Sequence, residues 1–423
     1  MAKSLFEAYK NRLNVANTVY AKAHNGENMS NHRKLVTAKV LENTNRFLNE
    51  AFNNSVGTQA TDMGMWKKFA LNLTTVAIPN LIAHDLVIVH PMSSMSGYVT
   101  YIEYSYGSNK GETKQGDLIS NPFGFGKSDV NYTAAKVVET IAEGQKELAW
   151  GPVVKGSVEK FVDGVWTVVE GDYTPVAGDK VRYEYDNVVI PQNDLPMVKA
   201  EVKSIALVAK ARRIAVYYSQ MAAFQAKTDY GVDLGDQLAE KAVGELAYEI
   251  DCEVIDRLAK LAATNEDSRT LPEFSRTLPV GVSRREHYAA FAEVIEIAKD
   301  IIYSRTQKFA PNWMVCASSV LPILSMIDSF KAAPTTGVAG PYLAGTFGSL
   351  KVFVSPRLER DTYLIGCNGG DMMSAAMVYA PYMAVIPTQL LQYADGGESQ
   401  GFSTMYALEE LNAQLVVAGQ IIA

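Results

Sequence analysis

The residues most suggestive of chemistry form the string Asn121-Pro-Phe-Gly-Phe-Gly126-Lys127-Ser128. Glycines followed by lysine imitate a phosphate-cradling loop, in which backbone N–H groups approach the anion and the ammonium neutralises it. Such a loop needs glycine five positions before Gly126, where this chain has Asn121, and a buried strand ahead of it, which is lacking. The string therefore predicts a flexible loop tip. Cys252 lies between Asp251 and Glu253, and two acids raise a thiol's pKa, the opposite of what a nucleophile requires. His84 beside Asp85, and His287 beside Glu286, are neighbours in sequence only, because adjacent residues on a helix or strand do not face one another. Satisfied polar histidines are the expectation. Gly366-Cys-Asn-Gly-Gly370-Asp371 is a turn cluster between strands, and the remaining carboxylates are scattered, with no pair placed for hydrolysis. Nothing assembles nucleophile, base and oxyanion donors, so no catalytic or cofactor-binding residue is assigned. The five histidines and three cysteines (Cys252, Cys316, Cys367) show no metal-ligand spacing. Buried free thiols and a reducing compartment are expected.

The elements that carry these residues belong to an ordinary folded protein. Hydrophobic residues make up 48% of the 423, and charged residues 20%. That length exceeds what one core usually serves, so two or three domains are expected. A net charge of −7 disfavours a dedicated nucleic-acid binder, without excluding a protein that encloses nucleic acid. The apolar runs are too short and too often interrupted by charge to span a membrane, and MAKSLFEAYKNRL lacks the pattern of a secretion signal.

The stretch Ala209–Leu261 predicts two consecutive helices. Ala211, Ile214, Ala215, Tyr218, Met221 and Ala222 fall near one helical stripe, flanked by Lys210, Arg212 and Arg213. Gly231 is placed to end the first helix and Asp233 to cap the second, in which Leu238, Leu246, Ile250, Val254 and Leu258 recur. Residues 1–55 predict a polar helical segment broken at Asn25–Asn31, and Ala51–Gly64 an exposed arm or linker. Such a front end is expected to lie across neighbouring subunits or to serve assembly and be removed. Tyr98–Tyr106 alternates as an extended strand, and FVDGVWTVV predicts a hairpin with an Asp-Gly turn, so Asn109–Asn193 becomes a long excursion carrying a small β module. Ser283-Arg-Arg-Glu286 matches a capping box before a helix through Ile302. Beyond it, strands at Trp313–Ala317, Lys351–Val354, Thr362–Cys367 and Ala375–Tyr379 alternate with a helix at Ser318–Ile327 and a loop at Lys331–Phe347. GFSTMYALEELNAQLVV predicts one closing strand that rejoins the helix pair. Of the 22 tyrosines, many fall in Tyr98–Tyr106 and Tyr183–Tyr185, where their broad, rigid side chains suit subunit contacts.

Several strings resemble the major capsid protein of contractile-tailed, large-coliphage-like bacteriophages, a family with the HK97-like fold. They are AIPNLIAHDLVIVHPM, SGYVTYIEYSYG, EVKSIALVAKARRIAVYYSQMAAFQ, GVDLGDQLAEKAVGELAYEIDCEVIDRL, TFGSLKVFVSP, DTYLIGCNGG, MVYAPYMAVIP and GFSTMYALEE, in the family's order across 77–420. The resemblance implies an α+β chain: an N-terminal arm or removable scaffold-like segment (1–70), entry to the peripheral domain (71–96) and an extended loop with the inserted β module (97–200). A peripheral domain with the spine helix (201–283), an axial domain with a mixed sheet (284–400) and a C-terminal return (401–423) complete it. In this scheme Ala209–Gln225 is the candidate spine helix. Subunits of such proteins form hexamers and pentamers of an icosahedral shell around packaged phage dsDNA. Portal, scaffold, maturation protease and decoration proteins are the implied partners. The virion, assembled in the host cytoplasm, is the implied location.

The similar phages' protease cuts after glutamate in Leu/Ile-x-Glu contexts, so Leu48-Asn49-Glu50 followed by Ala51 is the candidate processing site. Candidate inter-subunit contacts are Tyr98, Tyr101 and Tyr104 on the excursion, Lys210, Arg212 and Arg213 on the spine, and Gly337 and Gly340 on the axial loop. The basic residues are expected to meet acidic surface of a neighbour. Two other readings compete: an encapsulin-like nanocompartment shell, and a soluble hydrolase or nucleotide-binding enzyme of low oligomeric state.

Overall fold

The computed structural model describes residues 2–23, 26–53, 71, 75, 78–126, 129, 131–186, 196–231, 234–266, 271–334, 340–388, 391–394 and 396–422. The chain divides into two compact units, Met1–Val99 with Ala206–Ala423, and Thr100–Ile205.

The first unit opens with three helices, Ala2–Ala8, Lys10–Ala23 and Asn31–Asn53. In the third, Val36, Val40, Leu41, Thr44 and Leu48 share a stripe and are buried. The partner surface is the strand Met377–Pro387 of the same chain. This front end is therefore packed into its own unit rather than laid out as an arm. Its polar composition concealed a buried face whose polar side chains bond to backbone carbonyls, although Asn43 Oδ1 is buried without a hydrogen-bond partner. Thr37 and Thr44 donate to the carbonyls of Arg33 and Val40 four residues back, at 2.8 and 2.9 Å. Asn43 Nδ2 donates to the carbonyls of Met92 (2.6 Å) and Tyr382 (2.9 Å). Of the expected linker Ala51–Gly64, residues 51–53 continue the helix and the rest lies outside the described residues.

Two sheets organise this unit. In the first, strands run in the order Ile88–Val89, Met377–Pro387, Gly397–Glu410, Lys210–Ser219, with Leu391–Gln392 also on Gly397–Glu410. The long helix Leu234–Thr264 buries Leu246, Ile250, Val254 and Leu258 and leaves Glu245 and Glu249 exposed, the stripe its sequence predicts. Ala239, Ala242, Val243 and Leu246 share a core with Val385 and Phe402 of this sheet. The second sheet has the order Phe274–Ser275, Val416–Ile422, Thr362–Gly366, Trp313–Ala317, Leu350–Ser355, Tyr342–Phe347, Phe330–Ala332. Helix Phe291–Thr306 lays Phe291, Ile295, Ala298 and Ile302 into its core. The capping box at Ser283 is formed: the Ser283 hydroxyl accepts from Glu286 N, and the Glu286 carboxylate accepts from Ser283 N at 3.1 Å. Gly366 faces Trp313 across the sheet, where a Cβ would come within 2.2 Å of the indole.

Four local expectations change. Ala209–Gln225 is not a helix: Lys210–Ser219 is a strand paired residue for residue with Gly397–Tyr406, and only Gln220–Tyr230 is helical. The physical cause lies in Arg212, Ile214, Val216 and Tyr218, which are half-buried while the residues between them are exposed. That is a two-residue period carried by β-branched and aromatic side chains. Gly231 does end the short helix, with φ of 66°, whereas Asp233 lies outside the described residues. The long helical strut is thus Leu234–Thr264, not Ala209–Gln225. Ser318–Ile327 is helical only at Leu321–Leu324. Within Lys331–Phe347, the ends are paired strands rather than loop. The closing segment makes two strands in different sheets, Gly397–Glu410 and Val416–Ile422, turned apart by Asn412, whose side chain caps Ala413–Leu415.

In the second unit, one sheet follows the order Lys136–Thr140, Lys180–Glu184, Glu159–Val162, Val165–Val168, over a core of Val137, Ile141, Val158, Val181, Tyr183 and Tyr185. The predicted Asp-Gly hairpin is present, with Asp163 and Gly164 at φ of 50° and 86°. A ribbon carries this module: Ser96–Tyr106 and Val198–Val208 are neighbouring strands that both cross the unit boundary. At its far end Gly107 N donates to Met197 O at 2.6 Å, so the excursion leaves and returns at one point.

Candidate assembly interface

The ribbon is exposed on an unusual scale. Val198–Val208 has one buried residue, Leu207, and residues on both faces of the strand meet solvent. Tyr98 is 75% exposed and Val202 74%, with Ile102, Tyr104, Val198 and Val208 also open. Val198–Val208 is the edge strand of its sheet and is largely uncovered on both faces, so apolar side chains at this density call for another surface. Tyr101 is less exposed, its ring edge-on to Phe123 at 5.9 Å. On the adjoining strand Lys210 and Arg213 are exposed. Arg212 is engaged within its own chain, ion-paired with Glu253 and lying 5.6 Å above the Tyr406 ring. Gly340 has φ of 91°, and a Cβ there would press on the Tyr248 ring at 2.8 Å; Gly337 lies outside the described residues. Glu50 is exposed in the last turns of helix Asn31–Asn53, and Ala51 continues that helix.

Two buried hubs rigidify the units that bear these surfaces. In the first, Arg33 pairs with Asp85 at 2.5 Å and donates to Pro79 O, and Lys351 reaches the other Asp85 oxygen at 3.2 Å. Burial would raise the Asp85 carboxyl, but the two cations outweigh it and hold it below its ordinary value. Asp251, on the long helix, accepts from Ile82 N and Ala83 N at 3.0 and 3.3 Å, and burial pushes its pKa up to about 7. Burial, aided by the Arg33 charge, pushes His84 down to about 3, so the imidazole is neutral; its Nε2 is buried without a hydrogen-bond partner. Asn368 Nδ2 staples the same turn through the carbonyls of Asp85 (3.2 Å) and Val87 (3.0 Å). Nothing in the sequence singles out Asn368 or Asp251 for these tasks, because their partners lie hundreds of positions away. The second hub is Lys110, 2% exposed, whose ammonium donates to the carbonyls of Asn131, Tyr132 and Ala134 and lies 5.5 and 5.2 Å from the Trp150 and Tyr185 rings. Burial lowers its pKa, against the pull of Asp129.

The strings considered for catalysis have structural tasks. Asn121–Gly126 closes a tight hairpin in which Asn121 Oδ1 accepts from Phe123 N, and a Cβ on Gly126 would strike Leu118 O; Lys127 and Ser128 lie outside the described residues. His287 Nε2 meets Ser275 O at 2.7 Å and stacks on Phe274, while Glu286 is spent on the capping box. Asp371 caps the turn Met372–Ser374. Cys252, Cys316 and Cys367 are buried free thiols, and burial pushes Cys316 up to about 12 and Cys367 to about 11. Among the described residues no cluster of three metal-ligating side chains occurs, and no described helix is long and apolar enough to cross a membrane.

The family model for "Major capsid protein Gp23" matches residues 63–420, nearly the whole chain. The chain belongs to the Gp23 major capsid protein family. It is 21% identical to the major capsid protein of Enterobacteria phage T4 over 466 aligned positions, covering 90% of this chain and 87% of that one. With the major capsid protein of Vibrio phage KVP40 it is 22% identical over 383 positions, covering 79% and 74%. Among solved structures it is similar to the capsid of Myoviridae phage XM1, at a TM-score of 0.40 and 8% identity, covering 79% of this chain and 90% of that one. Membership in the Gp23 family makes the chain a structural shell subunit of a phage virion.

Proposed function

We propose that this chain is the repeating subunit of an icosahedral, HK97-like phage head, assembling as hexamers and pentamers around packaged dsDNA. The observation that carries the reading is the ribbon Ser96–Tyr106/Val198–Val208, whose second strand is exposed on both faces and whose first exposes Tyr98, Ile102 and Tyr104, in a member of the Gp23 family. Many copies supply the missing surface: Tyr98, Tyr101 and Tyr104 lie over an adjacent subunit, and Lys210 and Arg213 meet its acidic groups. Arg212 serves by orienting the strand through Glu253. Gly340, with Gly337, places the axial loop near its copies around the capsomer axis. The work is assembly in the host cytoplasm, without catalytic turnover. Portal, scaffold, decoration proteins and a maturation protease that cuts between Glu50 and Ala51 are its partners.

Electron microscopy of the purified protein, with the ratio of nucleic-acid to protein absorbance, tests the central claim. Closed shells containing DNA in infected cells are expected; enzyme-filled shells, or a monomer with turnover, would overturn it. Intact mass of subunits from mature heads tests processing separately, since an uncut 46.2 kDa chain would refute the Glu50 site.

A further inference from the structure

We infer that the peptide bond after Glu50 is latched shut in the folded subunit, and that release of Leu48 from its pocket on strand Met377–Pro387 is what opens it. The inference rests on the reading of Glu50–Ala51 as the processing site, but the latch itself needs no particular protease. The bond lies inside helix Asn31–Asn53. In a helix successive residues turn by about 100°, so Leu48 and Glu50 point to opposite sides; in an extended chain residues two apart share a face. The structure follows this rule: Glu50 is exposed, whereas Leu48 is 0% exposed and clustered with Met383 and Ile386. A protease that reads leucine and glutamate together on an extended chain finds no such surface until the last turns unwind.

The pocket bounds how far unwinding must run. Asn43, tied to the Met92 and Tyr382 carbonyls, anchors the helix just before the segment that would open. Between that anchor and the bond, Leu48 is the buried apolar side chain holding the last turns down. Its pocket is in the irregular part of the strand: pairing with Gly397–Glu410 shifts register between Pro381 and Met383 and again between Met383 and Ile386. A rearrangement of this bulged stretch that withdrew Met383 and Ile386 would free Leu48, so cutting would report the state of the sheet.

A glutamate-specific endopeptidase acting on the purified full chain tests the latch, with products located by intact mass. The exposed loop residue Glu27 serves as an internal reference, and a synthetic peptide of residues 44–56 as the unlatched standard. The Glu50 bond of the folded chain should be cut at least about a hundredfold more slowly than the peptide, because opening must precede cleavage. Leu48→Ala should accelerate that cut by about tenfold or more without changing the cut at Glu27. Met383→Ala should do likewise while leaving residues 44–56 untouched, which separates the latch from recognition of leucine itself. Glu50→Gln should abolish the product and so assign it. If Met383→Ala also accelerates cutting at Glu27, the milder Ile386→Val carries the comparison. The latch is overturned if the folded chain is cut as fast as the peptide, or if these variants leave the Glu50 rate unchanged. Uncut subunits in mature heads would refute the processing site while leaving the latch standing.

Discussion

Asp251 and His84 sit in one buried hub and titrate in opposite senses. Asp251 has a folded pKa of about 7 against an ordinary 3.8, so between those values the folded state holds a proton that the unfolded state has lost. Stability from this group therefore falls as pH rises through the window, by at most about 1.4 kcal/mol per pH unit. His84 has a folded value of about 3 against 6.5, so there the unfolded state holds the extra proton and stability falls as pH drops. Between about 4 and 6.5 the two slopes oppose and largely cancel. Asp85, held below its ordinary value, acts only at lower pH. Asp251→Asn retains an acceptor for Ile82 N and Ala83 N but abolishes one slope. Urea unfolding should show the variant's stability falling more steeply than the parent's, by roughly 1 kcal/mol per unit, as pH is lowered from 6.5. A level profile in the variant would contradict the opposed pair.

At the scale of elements, Lys210–Ser219 shows how far periodicity reaches. Its apolar residues fit a helical stripe as a list, yet Ile214, Val216 and Tyr218 also alternate, and a ten-residue ladder with Gly397–Tyr406 decides for strand. That partner lies almost two hundred residues away, beyond any local window. The local stops and turns read from sequence owe nothing to distant partners. The Asp-Gly hairpin, the Ser283 capping box and the glycine stop at Gly231 are all closed by neighbours within a few positions. The β module offers a test of modularity, because it has its own core and its ends meet at Gly107 and Met197. Replacing residues 108–196 with a short turn should leave a soluble chain whose remainder unfolds cooperatively, as followed by circular dichroism, yet shells should no longer form in electron micrographs. Normal shells would remove the module from assembly.

For the whole molecule, the stabilising cores and the proposed assembly surface are made of different residues. The buried hubs and helix–sheet cores hold each unit, while the ribbon spends its apolar side chains on the outside. Substituting Val202, 74% exposed, by aspartate should therefore change unfolding free energy by no more than about 0.5 kcal/mol. The same charge placed in a dry contact between subunits should prevent closed shells, leaving smaller species in sedimentation. Unchanged shell yield would show that this part of the ribbon faces solvent in the assembly.

The sequence by itself determined the α+β class, the kinship with phage capsid proteins, and the local stops and turns. These depend on composition, on string order and on contacts within a few residues. Only the tertiary structure decided that the strut is Leu234–Thr264 and that the polar front end is buried against Met377–Pro387. It also decided that Arg212 already holds its acid at Glu253, and that Asp251, Asn368 and Lys110 are hubs. Each of those outcomes depends on which distant surface a side chain meets. A polar residue on a helix or strand reads the same in sequence whether it faces water or a buried carbonyl.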